Sequence, residues 1–211
     1  MLFRSRPAGG LVWGAVREHF PTLAYLVLLM ACLNAFSHGS QDLYPTFLQV
    51  QHGFSAATTG RIAIIMNIGA LVGGICFGTL SERLGRRRTI ALAALLALPM
   101  IPLWAYSHTA VALAASAFLM QFMVQGAWGI VPAHLNELSP PSVRAVLPGF
   151  AYQLGNLAMA KMAPIQSGLA ESHGGNYASV LAWTVAVFAA VLIIVTLLGK
   201  EKRSAELRVV T

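Results

Sequence analysis

The sequence predicts an all-α membrane protein built from six transmembrane helices. Three observations favour this class: hydrophobic residues make up 57% of the 211-residue chain, charged residues only 10%, and the mean hydropathy is +0.68. Such values lie well outside those of a soluble globular domain. The spans should be helices, because lipid offers no partner for free backbone groups and the period-two alternation of an outer-membrane barrel is absent.

Six apolar segments have roughly the 20 residues that a helix needs to cross a bilayer. The third segment is short, and the fifth is interrupted. In chain order, they cover residues 21–44, 59–80, 89–106, 109–131, 145–170 and 177–198.

Basic residues orient these helices. Twelve of the fourteen Lys and Arg residues lie in the two terminal segments, the second-to-third loop or the fourth-to-fifth loop, and Arg61 and Lys161 are the exceptions. The positive-inside rule places these parts in the cytoplasm, in agreement with an even number of spans. We therefore expect a cytoplasmic N-terminal segment over 1–20, a transmembrane domain over 21–199 and a cytoplasmic tail over 200–211, in the plasma membrane or a bacterial inner membrane.

Several other classes of function are disfavoured. The net charge of +7 does not indicate a nucleic-acid partner, because the basic residues fall in short loops between spans. Cys32 and Cys76 lie inside apolar segments without metal-ligand spacing, so packing is their expected role. We find no removable signal peptide and no motif for a catalytic triad, a phosphate loop or a zinc protease. Neither an enzyme nor a cofactor-binding protein is expected.

The first helix ends in a dense polar cluster, which is a functional site by default at membrane depth. Its members are Asn34, Ser37, His38, Ser40, Gln41, Asp42 and Thr46. On a helix, five of them form one stripe about 140° wide, whereas Ser40 and Thr46 lie off its centre. Pro45 should end or kink the helix beside this cluster.

Asp42 and His38 each have two interpretations. An isolated charge at mid-bilayer costs about 2.5 to 3.5 kcal/mol, so Asp42 should face a partner, water or a cavity, or be protonated. Alternatively, it lies at the membrane interface. His38 is one turn deeper, and it is either a satisfied core histidine or a proton carrier, since histidine titrates near physiological pH.

A basic loop follows the second helix. It contains Gly78, Glu82, Arg83, Gly85, Arg86 and Arg87. Composition alone is equally typical of a plain positive-inside loop, but the spacing resembles the signature Gly-x-Leu-(Ala/Ser)-Asp-Arg-x-Gly-Arg-(Arg/Lys) of the major facilitator superfamily, with Glu82 where Asp is usual. The resemblance implies that Glu82, Arg83 and Arg86 form a latch of charge-assisted hydrogen bonds that holds one conformation.

One further pattern supports this resemblance. Glu137, Pro140 and Arg144 fit the Glu-x-x-Pro-x-x-x-Arg pattern of the fourth-to-fifth loop in the same superfamily. Glu137 and Arg144 can pair with each other or with the basic loop, so gating is favoured over substrate contact. In the second helix, Gly69 and Gly73 have small-xxx-small spacing, as do Gly74 and Gly78, which allows close helix packing.

The polar cluster carries a narrower resemblance. The run from Asn34 to Thr46 matches Asn-x-x-(Ser/Thr)-His-x-(Ser/Thr)-Gln-Asp-x-x-x-Thr at every specified position. This pattern resembles the seventh-helix signature of Jen-type monocarboxylate:proton symporters, near relatives of the sialate:proton symporters. Segments 126–140 and 152–157 are similar to the tenth and eleventh helices of that family. The resemblance implies the C-terminal half of a twelve-helix carrier, with the N-terminal six-helix half missing, and substrate bound between the halves.

Other polar residues in the spans leave alternatives open. The resemblance implies that Gln153, which shares a face with Asn156, helps to bind a carboxylate; an interhelical hydrogen bond is the alternative. Lys161 either snorkels outward or faces the cavity as a counter-charge. For Gln121 and Gln125, hydrogen bonding between helices is favoured.

Two functions follow from these observations. The first is transport of a small organic anion, such as lactate or pyruvate, together with a proton. The second is a truncated or split-gene membrane fragment or scaffold that does not transport alone. A carrier for sialic acid or another metabolite is a further alternative.

Overall fold

The computed structural model describes residue 14 and residues 17–199, and it is helical with no strand among those residues. The helices are α1 (Phe20–Gln41), α2 (Tyr44–Val50), α3 (Ala56–Leu84), α4 (Arg86–Ala97), α5 (Ile101–Tyr106), α6 (Ala110–Leu138), α7 (Leu147–Met159), α8 (Met162–Ser172) and α9 (Tyr177–Leu198). A short 3₁₀ turn, Leu98–Met100, joins α4 to α5. Most of the predicted N-terminal segment and the whole predicted tail lie outside the described residues.

Five helical segments in the described part are long and apolar enough to cross a membrane. They are Phe20–Val50, Ala56–Leu84, Arg86–Tyr106, Ala110–Leu138 and Tyr177–Leu198. The predicted fifth helix is present as α7 and α8, of 13 and 11 residues, and neither is long enough to span alone. The predicted all-α fold with six membrane helices is thus confirmed, including its interrupted member.

Prolines explain the two main breaks. Pro45 occupies the first turn of α2, where its fixed φ and missing N–H are tolerated, and α1 ends at Gln41 as expected. In the fifth helix, Pro164 has no N–H to donate to the carbonyl of Ala160, four residues earlier. α7 accordingly ends at Met159.

Close backbone contact between α3 and α6 forms one side of the bundle. A Cβ at Gly69 would overlap the carbonyl of Phe118, and a Cβ at Gly73 would overlap the carbonyl of Phe122. These glycines therefore let the two backbones approach as the small-xxx-small spacing predicted.

α1 lies at the centre of the bundle, in contact with α6, α7, α8 and α9. Just beyond it, the ring of Tyr44 stacks on Trp104 at a centroid distance of 5.0 Å. The Tyr44 hydroxyl lies 3.3 Å from the carbonyl oxygens of both Trp104 and Leu113. These contacts fix the end of α1, which carries the polar cluster, against α5 and α6.

Candidate functional site

An imidazole–carboxylate pair stands at the end of α1. Nδ1 of His38 lies 3.0 Å from Oδ2 of Asp42, and the two side chains are 39% and 35% exposed. Asp42 still has helical backbone angles, and its N–H donates to the His38 carbonyl. Helical spacing itself therefore brings the two groups together, and one proton can be shared between them.

This pair opens into a cavity of about 350 Å³ between α1 and the broken fifth helix. The cavity is lined by His38, Asp42, Tyr152, Asn156, Met159, Ala160 and Ala163. Its α1 wall is ionisable, whereas the α7 and α8 wall is largely apolar apart from the Asn156 amide and the Tyr152 hydroxyl. The break between α7 and α8 adjoins the cavity through Ala160.

The predicted polar stripe divides between two neighbours instead of forming one wall. Nε2 of Gln125 in α6 donates to Oγ of Ser37 at 3.0 Å and to Oε1 of Gln41 at 3.3 Å. Nε2 of Gln121 donates to Oγ of Ser40 at 3.0 Å. These glutamines join the helices, and the imidazole–carboxylate pair is left facing the cavity.

The remaining predicted binding residues lie in different places. Asn34 is buried, and its Nδ2 has no hydrogen-bond partner among the described residues. Thr46 lies half-buried in α2, away from the cavity lining. Asn156 lines the cavity, but Gln153 is exposed about 60° away around α7. A contact of Gln153 with substrate stays a prediction.

Sequence reasoning missed two side chains that line the cavity and a third that joins α8 to α1. Tyr152 lines it and is held edge-on to Trp128 at a centroid distance of 5.8 Å. Met159 lines it at the end of α7. Gln166 fastens α8 to α1 by donating from Nε2 to the Gly39 carbonyl at 3.0 Å. An amide in an apolar helix indicates a hydrogen bond between helices, so Gln166 could have been identified from the sequence. A methionine such as Met159 is typical of a packed core, so its place at the cavity could not.

An ion pair joins the two predicted gating loops. Nε of Arg86 donates to Oε1 of Glu137 at 3.1 Å, and Nη1 of Arg86 donates to Oγ of Ser81 at 2.6 Å. Arg144 instead donates to the Ser139 carbonyl. Of the two pairings left open, Glu137 therefore takes the one with the basic loop.

Other residues of the basic loop have separate roles. Gly85 has a φ of 95°, which favours glycine, and it separates α3 from α4. Arg87 donates to the carbonyl of Gly199, at the end of α9. Glu82 and Arg83 are exposed, and Glu82 forms no ion pair within the described residues, so its predicted part in the latch has no support in this conformation. Gly78 has room for a Cβ, with the nearest atom 3.6 Å away.

A histidine pair lies between the spans on the opposite end of the bundle. The ring of His52 is edge-on to Phe47 at 4.7 Å and lies 6.3 Å from the ring of His108. Burial, and secondly the neighbouring His108, lower the pKa of His52. The folded chain therefore favours the neutral imidazole at this position.

Lowering the pH should consequently destabilise the fold, because it protonates His52. The unfolded chain takes up this proton near pH 6.5, so the stabilising effect is complete above that pH and is lost as the pH falls through the lowered pKa. Thermal unfolding of the detergent-solubilised chain at pH 7.5 and pH 5 should show a smaller decrease for His52→Gln than for the wild type. His173→Gln, an exposed histidine, is the matched control. An NMR titration that gives His52 a pKa above 6.5 would contradict this prediction.

Comparison with known proteins shows similarity to a family of membrane transporters and to individual transporters. A family model described as Major Facilitator Superfamily matches residues 19–209. The chain is 40% identical over 162 residues to a carboxylic acid transporter protein homolog of Saccharomyces cerevisiae, covering 75% of the chain and 26% of that protein. It is 26% identical over 160 residues to the niacin transporter NiaP of Acinetobacter baylyi, covering 76% of the chain and 36% of NiaP. The chain thus spans only about a third or less of these relatives.

Proposed function

The chain belongs to the major facilitator superfamily, and on this basis we propose that it forms the C-terminal half of a carrier that moves a small organic anion across the membrane together with a proton. It is a multi-pass protein of the plasma or inner membrane. The proposed activity is transport and not catalysis. Jen-type monocarboxylate symporters are the proposed nearer relatives, with lactate or pyruvate as the type of substrate.

The observation that carries this proposal is the His38 and Asp42 pair at the cavity. The two side chains are 3.0 Å apart and more than one-third exposed to the cavity side of α1. A proton taken up by this pair reduces its net negative charge, which favours entry of a carboxylate. Release of the proton on the other side restores the charge and expels the anion, so the two move together.

Nearby polar groups can orient the carboxylate. The Asn156 amide and the Tyr152 hydroxyl are donors on the facing wall. The name of the yeast relative, a carboxylic acid transporter homolog, supports this choice of substrate. In the proposal, Gln153 and Thr46 complete the site only when a second half covers their exposed faces.

The Arg86 and Glu137 ion pair would act as the gate. It ties the start of α4 to the end of α6, 51 residues later in the chain. Both side chains are 20% exposed, so solvent can replace the contact at moderate cost when the helices separate. Breaking and remaking this pair would accompany the change between the two access states.

A non-transporting fragment is the second candidate. The chain covers 26% of the length of its yeast relative, and the cavity is lined only by α1 and the broken fifth helix. Alone, such a chain would bind substrate weakly and would not alternate its access. In this case it functions only as a component of a larger protein.

Uptake by reconstituted vesicles tests the proposal. We expect the chain together with an N-terminal six-helix half to accumulate labelled lactate or pyruvate faster at an outside pH of about 5.5 than at 7.5, and a protonophore to abolish the difference. The chain alone is the control for the second candidate. Uptake that is equal at both pH values would refute proton coupling, and no uptake by the assembled protein would refute carboxylate transport.

A further inference from the structure

Lys161 is a cation placed at the break of the fifth helix. It is the N-cap residue of α8, its backbone carbonyl accepts from Ile165, and its side chain is exposed. Its ammonium forms no ion pair with any residue in the described part of the chain. The structure therefore leaves this charge to be satisfied by something outside the bundle.

The depth of Lys161 in the membrane limits which group outside the bundle can satisfy its charge. At 1.5 Å per residue, Lys161 lies about 21 Å from the start of α7 and about 16 Å from the end of α8. The hydrocarbon core is about 30 Å thick, so Lys161 lies near its centre. The side chain, about 6 Å long, cannot carry the ammonium to either headgroup region by snorkelling. An unpaired ammonium at this depth is strongly disfavoured in lipid.

The neighbours of Lys161 argue against a water-filled wall. Leu157 and Ile165, four residues to either side, are 72% and 56% exposed. Gln153 continues the same exposed stripe a turn earlier. The cavity is lined from another side of the helix, by residues that include Asn156 but not Lys161. An apolar stripe with one central cation is suited to contact with another helix.

We propose that the stripe of Gln153, Leu157, Lys161 and Ile165 docks onto a second transmembrane bundle, and that Lys161 forms an ion pair there with a carboxylate of that bundle. The inference rests on the proposed function, in which this chain is one part of a larger carrier. The yeast relative has the greater part of its length beyond the segment that this chain matches, which accommodates such a bundle. Charge complementarity then specifies the partner: a transmembrane helix with an Asp or Glu at mid-depth.

The position of Lys161 gives this contact a mechanical consequence. Lys161 follows Ala160, which lines the cavity, and both lie at the break between α7 and α8. An ion pair at this point anchors the break between α7 and α8 to the other bundle. Movement of the two bundles is thereby transmitted to the wall of the cavity.

Association of the two parts, measured separately from transport, tests the inference. This chain and the N-terminal half are produced as separate tagged chains in one membrane, and the partner recovered with each variant is quantified. Lys161→Met keeps the length and removes the charge, and we expect at least about tenfold less partner. Lys161→Arg should retain most of the association, and Leu157→Met is the matched control for packing on the same stripe.

Dicyclohexylcarbodiimide, which joins an amine to a carboxylate in direct contact, should link Lys161 to an acidic peptide of the partner, and this product should be absent from Lys161→Arg.

Two results would overturn the inference. Unchanged or improved association with Lys161→Met, with carboxylate uptake also unchanged, would mean that the side chain faces lipid. Unchanged association with loss of carboxylate uptake would make Lys161 a substrate contact. Because association is measured without substrate, it can fail while wild-type uptake persists, so failure of this inference is distinguishable from failure of the proposed transport.

Discussion

Replacing Gly73 with alanine is expected to destabilise the bundle by about 1 to 3 kcal/mol, the usual range for overpacking a close contact. A Cβ at this position would overlap the carbonyl of Phe122, a backbone atom of α6 that a rotamer change cannot move away. α3 and α6 would have to separate along their length. In a membrane this separation is costly, because packing and not the hydrophobic effect drives helix association.

Gly78 in the same helix provides the matched control. A Cβ there meets nothing closer than 3.6 Å, so Gly78→Ala should be neutral or stabilising by up to about 1 kcal/mol through helix propensity. Unfolding in mixed micelles of increasing denaturing detergent measures both variants. Equal stability of the two variants would show that the α3 and α6 backbones are not in close contact.

Hydropathy predicts the helices well but their ends poorly. The second helix was expected over 59–80 and extends over Ala56–Leu84. Hydropathy marks the depth of the lipid, whereas hydrogen bonding sets where a helix stops. Oγ of Ser55 accepts from the Thr58 N–H at the start, and Gly85 with its positive φ separates α3 from α4 at the other end.

Local spacing likewise predicts part of the site. His38 and Asp42 are neighbours because four residues make about one helical turn, and no tertiary contact is needed. Local spacing does not predict the direction that each polar side chain faces, because this direction depends on the helix against which it packs. Ser37 and Gln41 are turned towards Gln125, 84 or more residues away, and period alone contains no information about that contact.

Long-range charge pairing shows the same limit. The sequence alone did not distinguish two possible partners of Glu137: Arg144, seven residues later, and the basic loop, about 50 residues earlier. The choice of Arg86 depends on how α4 packs against α6, which brings the two loops together. Only the three-dimensional arrangement of the helices distinguishes the two possible partners of Glu137.

Replacing Asp42 with asparagine is expected to abolish proton-driven accumulation by the assembled carrier, lowering it at least about 100-fold, the usual effect of removing a proton-transfer group. Asparagine keeps the size of the side chain and can still accept a hydrogen bond from His38, but it cannot bind or release a proton. The site then resembles its protonated state permanently. Exchange of internal for external substrate, which requires no net proton movement, should persist.

This difference between accumulation and exchange distinguishes loss of coupling from loss of folding. Asp42→Glu should recover part of the accumulation, because the carboxyl group returns one methylene further from α1. Glu171→Gln makes the same carboxyl-to-amide change at an exposed residue of α8 away from the cavity and should behave as wild type. If Asp42→Asn lost exchange as well, Asp42 would be required for binding the anion or for folding. If it still accumulated substrate in response to outside acid, the proton would have to be carried elsewhere, with His38 the first group to replace.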